Sequence, residues 1–274
     1  MTAEKTDIPR NKLHPMPELP DLQVISRNLD KKISGKTVEE ITLVNAKRTK
    51  DTAAAFRKAA EGQAITKVYR EGKELRLQFA NGRVLGLHLM LHGQLAFFDK
   101  KNEHKHTIIE WLFDDQTGLA LTDYQGLATP TLDPQESEAP DALSKSLTAS
   151  FLEKKLSATR ATIKSLLTDQ HIIRGIGNAY ADEILWHARI SPFSVCNKIP
   201  PNKIKDLLRS IRTVLEHAEK EIRKEHPGII SGEIRDFLAI HQPRKTHSPT
   251  GAPILHKKAG GGKTYYTEEQ ELFS

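Results

Sequence analysis

"DQHIIRGIGNAYADEILWHARISPF", residues 169–193, is the stretch of sequence on which the fold prediction depends. We expect one helix to end near Asp169, the chain to turn through Gly175 and Gly177, and a second helix to begin with "AYADEILWHA". Closely spaced glycines permit a tight turn. The free amides at the start of the second helix, with Asn178 as a cap, can then hold a phosphate group. The alternative is that the glycines only let two helices pack closely.

The composition limits the class of protein. Lysine plus arginine exceed aspartate plus glutamate by 41 to 35 among 274 residues, and the net charge of +6 favours a polyanionic partner, although many proteins with this charge have none. The single cysteine, Cys196, excludes an internal disulfide and a cysteine-based zinc site. Since no apolar run is long enough for a membrane span or a signal peptide, we expect a reducing, cytoplasmic setting without a membrane partner.

The hydrophobic pattern changes along the chain and predicts a fold of the α+β class. The first fifteen residues are polar, contain two prolines and are expected to form a flexible lead. Segments with period-two alternation, such as "ELRLQF", then indicate a sheet-rich domain, whereas later segments with helical spacing indicate a helical domain. The turn-rich tail suits a β-hairpin. The predicted divisions are a lead at 1–15, a sheet domain at 16–132, a linker at 133–145, a helical domain at 146–240 and a hairpin at 241–274.

Four motifs occur in an order that identifies a family. "MPELPDLQ" (16–23), "REGKELRLQF" (70–79), "HLMLHGQL" (88–95) and the 169–193 segment resemble the formamidopyrimidine-DNA glycosylase and endonuclease VIII (Fpg/Nei) family. The resemblance implies a β-sandwich domain, a helix-two-turns-helix domain and a C-terminal β-hairpin finger that together hold duplex DNA. In such enzymes a damaged base is flipped out and excised, and the abasic site is cut. The expected partner is double-stranded DNA with damaged bases or abasic sites, the expected state is a monomer, and no cofactor is implied.

The resemblance assigns the nucleophile to Pro17. Members of the family attack the sugar C1′ with the secondary amine of an N-terminal proline and form an iminium. An internal proline is a tertiary amide without a nucleophilic lone pair, so Pro17 can react only at a free N-terminus. Translation from Met16 followed by methionine removal would provide that terminus, as would removal of a propeptide.

Two further catalytic roles follow from the resemblance. Glu18 would handle protons at the sugar during ring opening, and Lys73 would bind phosphate beside it. From the residues alone, Glu18 is equally a first-turn carboxylate that complements the helix dipole, whereas the residues alone favour a solvated lysine at a strand start for Lys73.

Several positions depart from the family pattern. The residues that usually fill the gap left by the flipped base are methionine, arginine and phenylalanine, and here they are Leu91, Gln125 and Leu127. Leucine can still wedge into a base stack, but glutamine lacks the charged fork of arginine.

The C-terminal segment resembles the zincless finger of some family members. Zinc-bearing members have four cysteines, and the matching positions here are His247, Thr250, Thr267 and Gln270, which cannot form a tetrahedral zinc site. We therefore expect the finger to be held by packing of Ile254, Tyr265 and Tyr266. The position of the arginine presented at the finger tip is Gly262 here, and the resemblance assigns that role to the adjacent Lys263, which offers a point charge and not a bidentate fork.

Three alternatives stay open. The chain can be a non-catalytic protein that binds damaged or abasic DNA on the same scaffold, or an RNA-binding protein that uses the helix-two-turns-helix. His88 and His92, four residues apart on a predicted strand, can in principle contribute to a metal site, but the pattern favours none. Within the leading interpretation, the loop that recognises the flipped base is expected around "KEHPGIISGEIRD" (224–236).

Overall fold

The computed structural model describes residues 16–45, 47–259 and 262–274. The predicted lead at residues 1–15 therefore lies outside the described residues, as do Gly260 and Gly261 of the hairpin. Within the described ranges, no helix is long and apolar enough to cross a membrane.

The first half of the described chain forms two four-stranded antiparallel sheets, with two helices packed against them. The elements are α1 (Leu19–Ile33), β1 (Val38–Leu43), α2 (Ala53–Ala60), β2 (Ile65–Glu71), β3 (Glu74–Phe79), β4 (Val84–His88), β5 (Gln94–Asp99), β6 (Thr107–Phe113), β7 (Thr117–Thr122) and β8 (Thr129–Leu132). The strand order is β1-β6-β7-β5 in one sheet and β2-β3-β4-β8 in the other. Because inward-facing residues of both sheets share one hydrophobic core, the predicted β-sandwich is confirmed.

The second half is helical and has its own core. Its helices are α3 (Ala149–Ser157), α4 (Ile163–Thr168), α5 (Asn178–His187) and α6 (Pro201–Glu225). The hydroxyls of Thr148 and Thr162 accept backbone N–H bonds at the starts of α3 and α4, which explains where these two helices begin. The helix end near Asp169 and the new helix after the glycines are both present as predicted.

A two-stranded hairpin completes the chain. Strands β9 (Leu255–Ala259) and β10 (Gly262–Tyr266) pair antiparallel, with Tyr265 opposite His256. The hairpin predicted from the turn-rich tail is therefore confirmed, and the three parts together give the expected α+β fold.

Two elements were not predicted from the sequence. Helix α2 is eight residues long, starts at the Thr52 cap and is rich in alanine, so it lacks a long apolar stripe. Strand β8 contains Pro130, a residue that argues against a central strand. Because β8 is the edge strand beside β4, the missing N–H of the proline is tolerated there.

Helix α1 belongs to both cores. Leu19, in its first turn, packs in the helical core, whereas Leu22, Ile25 and Leu29 pack in the sheet core. Pro17 and Glu18, immediately before this helix, therefore lie where the two cores meet.

Candidate active site

The carboxylate of Glu18 is bound at the N-terminus of α5. The amide of Gly177 donates to Oε2 at 2.6 Å, that of Ala179 to Oε1 at 2.9 Å and that of Tyr180 to Oε2 at 3.3 Å. Glu18 is 4% exposed, and the positive end of the helix dipole adds to the attraction. The amides predicted to hold a phosphate therefore hold a carboxylate of the protein itself, which corrects that expectation.

The two glycines of the turn make room for the start of α1. A Cβ on Gly177 would lie 2.4 Å from Cδ of Glu18, and a Cβ on Gly175 would lie 2.5 Å from Cδ1 of Leu19. Gly175 also has a backbone φ of +101°, a value that residues with a side chain rarely adopt. Close packing thus explains both glycines, but the partner is the 18–19 segment at the start of α1 and not the helix before the turn.

An ion pair that sequence reasoning missed fixes the first turn of α1. Asp21 is buried, and its two carboxylate oxygens each accept one bond of 2.8 Å from the guanidinium of Arg235. Oδ2 of Asp21 also accepts from the amide of Glu18 at 2.9 Å. The guanidinium lies 5.0 Å from the centre of the Tyr180 ring. Asp21 therefore has a bidentate partner from the segment after α6.

Pro17 and Leu91 line one cavity of ≈ 280 Å³, together with residues 92–94, 226, 229 and 231–234. Pro17 is buried, while Leu91 is 47% exposed beside it. Tyr124, which sequence reasoning passed over, is 63% exposed, and its ring centre lies 4.6 Å from that of His92. Gln125 is exposed on the same loop as Tyr124. A protruding leucine and a protruding tyrosine thus flank His92 at the rim of the cavity.

Lys73 and Asn178 line a second cavity of ≈ 350 Å³, between the sheet domain, the helical domain and the hairpin. Burial lowers the pKa of the Lys73 ammonium, the carboxylate of Glu18 opposes this, and the guanidinium of Arg235 adds to it. Lys73 is therefore close enough to Glu18 for each charge to affect the other. It is not the solvated lysine of the alternative interpretation.

Asn178 joins the helical domain to the hairpin. It is the first residue of α5 and makes no cap, because Gly177 occupies the N-cap position; the predicted capping role is therefore wrong. Its side-chain amide instead donates to the carbonyl oxygen of Lys263 at 3.0 Å. The Lys263 ammonium is exposed and lies 5.0 Å from the centre of the Tyr265 ring.

Asp182, in the middle of α5, anchors the hairpin through a buried network that sequence reasoning also missed. The ammonium of Lys164 donates to Oδ1 of Asp182 at 2.5 Å, and the amide of Tyr265 donates to Oδ2 at 2.9 Å. Nδ1 of His241 lies 2.7 Å from the same Oδ2. Burial lowers the pKa of the Lys164 ammonium, and Asp182 opposes this shift. These contacts form the Asp182 network.

The positions that match zinc ligands carry hydrogen bonds. The hydroxyls of Thr250 and Thr267 both donate to Oε2 of Glu269, at 2.8 and 3.2 Å, and Arg189 pairs with the same oxygen at 2.9 Å. Gln270 accepts from the amide of Thr267 at 2.8 Å. The finger is thus held by this Glu269 cluster as well as by the expected packing. In that packing Tyr265 is buried and the ring of Tyr266 meets that of Phe193 edge-on. Ile254 is partly exposed.

The histidines are arranged differently from the sequence expectation. His88 ends β4, whereas His92 lies in the turn that follows, so the two do not share a strand face. Burial lowers the pKa of the His88 imidazole, and the nearby Lys73 adds to this effect. In the part of the chain that the structure describes, no group of three or more His, Cys, Asp or Glu residues is placed to hold a metal ion.

Comparison with known proteins gives one family for both halves of the chain. Residues 16–129 match the model of the formamidopyrimidine-DNA glycosylase N-terminal domain, and residues 139–226 match that of the formamidopyrimidine-DNA glycosylase H2TH domain. The chain is 34% identical to the formamidopyrimidine-DNA glycosylase of Chloroflexus aurantiacus over 216 residues. This alignment covers 74% of this chain and 76% of that protein. It is 30% identical to the formamidopyrimidine-DNA glycosylase of Pelotomaculum thermopropionicum over 271 residues, an alignment that covers 92% of this chain and 97% of that protein.

A solved structure has the same fold. The Lactococcus lactis Fpg in complex with DNA containing an abasic site matches with a TM-score of 0.82 and 23% identity, over 92% of this chain and 98% of that one. Two models of one family match in succession, and named members are at least 30% identical over most of their length. The chain therefore belongs to the formamidopyrimidine-DNA glycosylase family.

Proposed function

We propose that this chain is a bifunctional DNA glycosylase and abasic-site lyase that removes oxidised bases from duplex DNA in base-excision repair. Family membership makes it a DNA glycosylase. The observation that carries the finer proposal is that Pro17 lines a cavity beside the protruding Leu91, while the next residue, Glu18, is fixed to α5. A candidate amine and a candidate wedge therefore meet at one cavity.

The proposed chemistry requires a free amine at Pro17. The secondary amine attacks the sugar C1′, the base leaves as the iminium forms, and elimination then cuts the strand at the abasic site. The family model begins to match at residue 16, which supports a functional N-terminus produced by removal of Met16. Residues 1–15 lie outside the described residues.

Glu18 and Lys73 are the proposed partners of Pro17. The three amide bonds to Glu18 hold the backbone of the adjacent proline in one place, which favours a reproducible attack geometry. Glu18 would pass protons to and from the sugar. Because burial lowers the pKa of Lys73, this lysine gives up a proton more readily than an exposed one, and while charged it can bind a flanking phosphate.

The DNA-binding residues proposed from the sequence fall into two groups. Leu91 and Gln125 lie on exposed turns beside the Pro17 cavity, where Tyr124 adds an aromatic wedge. Asn178 lines the second cavity and is hydrogen-bonded to the carbonyl oxygen of Lys263, and both residues would contact phosphates. Gly175 and Gly177 contribute by allowing the 18–19 segment to dock, and not by binding phosphate themselves.

The remaining parts of the proposal concern organisation. The two hydrophobic cores and the hairpin support the divisions 16–132, 146–240 and 241–274, whereas Ala142, within the proposed linker 133–145, packs in the helical core. A monomer without a cofactor is proposed, and a cytoplasmic location is supported by the bacterial source of the named relatives.

Borohydride trapping on duplex DNA with an abasic site tests the nucleophile. Borohydride reduces a transient iminium to a stable cross-link, and peptide mapping then identifies the amine. We expect the form expressed from Met16 to cross-link at Pro17 and the form expressed from Met1 to cross-link only if its lead is removed. In the Met16 form, Pro17→Gly should lose most base excision.

Three results would contradict this proposal in different ways. A cross-link mapped to Lys73 would replace Pro17 as the nucleophile but leave an enzyme. Binding of abasic DNA without any cross-link from either form would support the non-catalytic alternative. Preferential binding of structured RNA over abasic DNA would support the RNA-binding alternative.

A further inference from the structure

The carboxylate of Asp21 joins two parts of the candidate site. The side chain is 1% exposed. Its Oδ2 accepts from the backbone amide of Glu18 at 2.9 Å, and its Oδ1 accepts from the amide of Ile234 at 3.3 Å. Glu18 directly follows Pro17, and Ile234 lines the Pro17 cavity. One buried carboxylate therefore connects the backbone beside the candidate amine to the wall of the cavity.

Arg235 fixes the orientation of this carboxylate. Nη1 of its guanidinium donates to Oδ1 of Asp21 and Nη2 donates to Oδ2, both at 2.8 Å. Nη1 also donates to the carbonyl oxygen of Ile234 at 3.0 Å. A planar fork bound to both oxygens sets the plane of the carboxylate, whereas an ammonium would bind as a point charge. The two oxygens are thus held where they meet the amides of Glu18 and Ile234.

Tyr180 closes the arrangement on the side of α5. The guanidinium of Arg235 lies 5.0 Å from the centre of the Tyr180 ring, and Nη1 lies 3.5 Å from the phenol oxygen. The amide of Tyr180 donates to the carboxylate of Glu18 at 3.3 Å. Glu18 is therefore held twice, at its carboxylate by the start of α5 and at its backbone amide by Asp21. Arg235 contacts a residue of each attachment.

Arg235 can affect the site through its charge as well as through its geometry. Burial lowers the pKa of the Lys73 ammonium, Glu18 opposes this, and Arg235 adds to it. Burial also lowers the pKa of the Arg235 guanidinium, but the neighbouring acidic groups, with Asp21 the strongest, outweigh burial and hold that pKa well above its usual value. Arg235 thus stays charged. Because lysine keeps a charge but not a fork, Arg235→Lys separates geometry from charge.

We propose that Arg235 is a positioning residue that acts through Asp21 to hold the Pro17 amine in its attack geometry. The amine nitrogen and the Glu18 amide belong to consecutive residues, so a rotation of the Asp21 carboxylate displaces the amine. Attack on the sugar requires the two reacting atoms to approach within about 3–3.5 Å in the correct direction. This inference rests on the proposed function, because it assumes that Pro17 is the nucleophile.

The experiment follows iminium formation on a duplex with an abasic site. The protein is the form, expressed from Met1 or Met16, that gives a cross-link with borohydride. Under single-turnover conditions, borohydride added at successive times reports the rate of iminium formation, and fluorescence anisotropy gives the Kd for the same duplex. Because an abasic site has no base, a lower rate does not come from lost base recognition.

The two Arg235 variants should slow the reaction without weakening DNA binding. Arg235→Lys should lower the rate about 10-fold and Arg235→Met about 100-fold, because lysine cannot hold both oxygens of Asp21 and methionine holds neither. The Kd should stay within about threefold, since Arg235 is not among the described residues that line the Pro17 cavity or the second cavity and phosphate contacts dominate affinity. An unaltered rate in Arg235→Lys with a slow Arg235→Met would assign the effect to charge and refute positioning.

A double variant separates stability from positioning. Arg235→Met alone leaves the buried Asp21 carboxylate without its cation, so Tm should fall. Adding Asp21→Asn removes both charges and should recover most of that fall. The side-chain amide has one acceptor oxygen for two donors, the N–H groups of Glu18 and Ile234, so the rate should stay at least about 10-fold low. Thermal unfolding followed by circular dichroism measures Tm.

The matched control is Arg209→Met. Arg209 also pairs with a carboxylate, that of Asp206, but its side chain is 74% exposed on α6. It lines neither the Pro17 cavity nor the second cavity. The rate, the Kd and the Tm of this control should equal those of the unaltered chain.

The outcomes separate this inference from the proposed function. An unaltered rate in folded Arg235→Met refutes the positioning role. Recovery of the rate together with Tm in the double variant also refutes it, because Arg235 would then contribute only to stability. If no form of the unaltered chain gives a cross-link, or if the cross-link maps to Lys73, the proposed nucleophile is refuted and this inference falls with it.

Discussion

Replacing Gly177 with alanine adds one methyl group where the carboxylate of Glu18 already lies. The new Cβ would be 2.4 Å from Cδ and 2.6 Å from Oε1, whereas Cβ contacts essentially never fall below 3.0 Å. The φ of −122° at this position is accessible to alanine, so the contact and not the backbone decides the effect. The carboxylate must withdraw by about 0.6 Å or more.

This displacement has a calculable consequence. The bond from the Gly177 amide, 2.6 Å long, joins the substituted residue to the displaced carboxylate, so we expect it to be lost first. A hydrogen bond to a charged group contributes about 1.5–3 kcal/mol, so we expect the free energy of unfolding of Gly177→Ala to fall by about that amount and Tm by about 3–10 °C. Because Pro17 precedes the displaced residue, base excision should slow by about 100-fold.

Thermal unfolding followed by circular dichroism and single-turnover excision measure the two effects. The matched control for Tm is Gly228→Ala, since a Cβ at Gly228 meets nothing within 4 Å and its φ is not in the left-handed region. Gly228 lies in the 224–236 segment, so the excision rate is compared with that of the unaltered chain. The reasoning is refuted if Gly177→Ala has the Tm of this control and the rate of the unaltered chain. A lower Tm with an unaltered rate would leave Glu18 a purely structural role.

Two further predictions concern the hairpin. Asp182→Asn turns one acceptor of the Asp182 network into a donor. We therefore expect faster proteolysis within 255–266 and about tenfold weaker binding of abasic DNA, measured by fluorescence anisotropy. The control Asp206→Asn, at an exposed side chain of α6, should show neither effect. Treatment with a metal chelator should lower Tm by less than about 1 °C, because the Glu269 cluster supplies the contacts that a metal would otherwise make; a larger fall would indicate a bound ion.

The parts of the fold that depend on local patterns could be predicted from the sequence. Period-two alternation predicts the strands of the sandwich, and the 169–193 segment predicts both its helices and its turn, because helix starts, turns and amphipathic faces are set by residues a few positions apart. Helix α2 was not predicted because it is short and rich in alanine, and strand β8 was not predicted because it contains Pro130.

The contacts that assemble the candidate site could not be predicted in this way. Arg235 meets Asp21 from 214 positions away, and Lys164 meets Asp182 across the helical domain. No local signal distinguishes these side chains from solvated charges, since their partners are chosen by the tertiary fold. The same reason explains the incorrect role of the α5 amides: the sequence shows that they are available, but not that Glu18 reaches them first.

Helix α5 provides a common frame of reference for three separate parts of the molecule. Its first amides hold Glu18, Asp182 holds the hairpin, and Glu183 accepts the amides of residues 239–241 in the segment after Glu233. Because all three attachments are made to one rigid ten-residue cylinder, thermal motion of the domains displaces them together. The positions of Glu18, of residues 239–241 and of the hairpin relative to one another are therefore set by one helix.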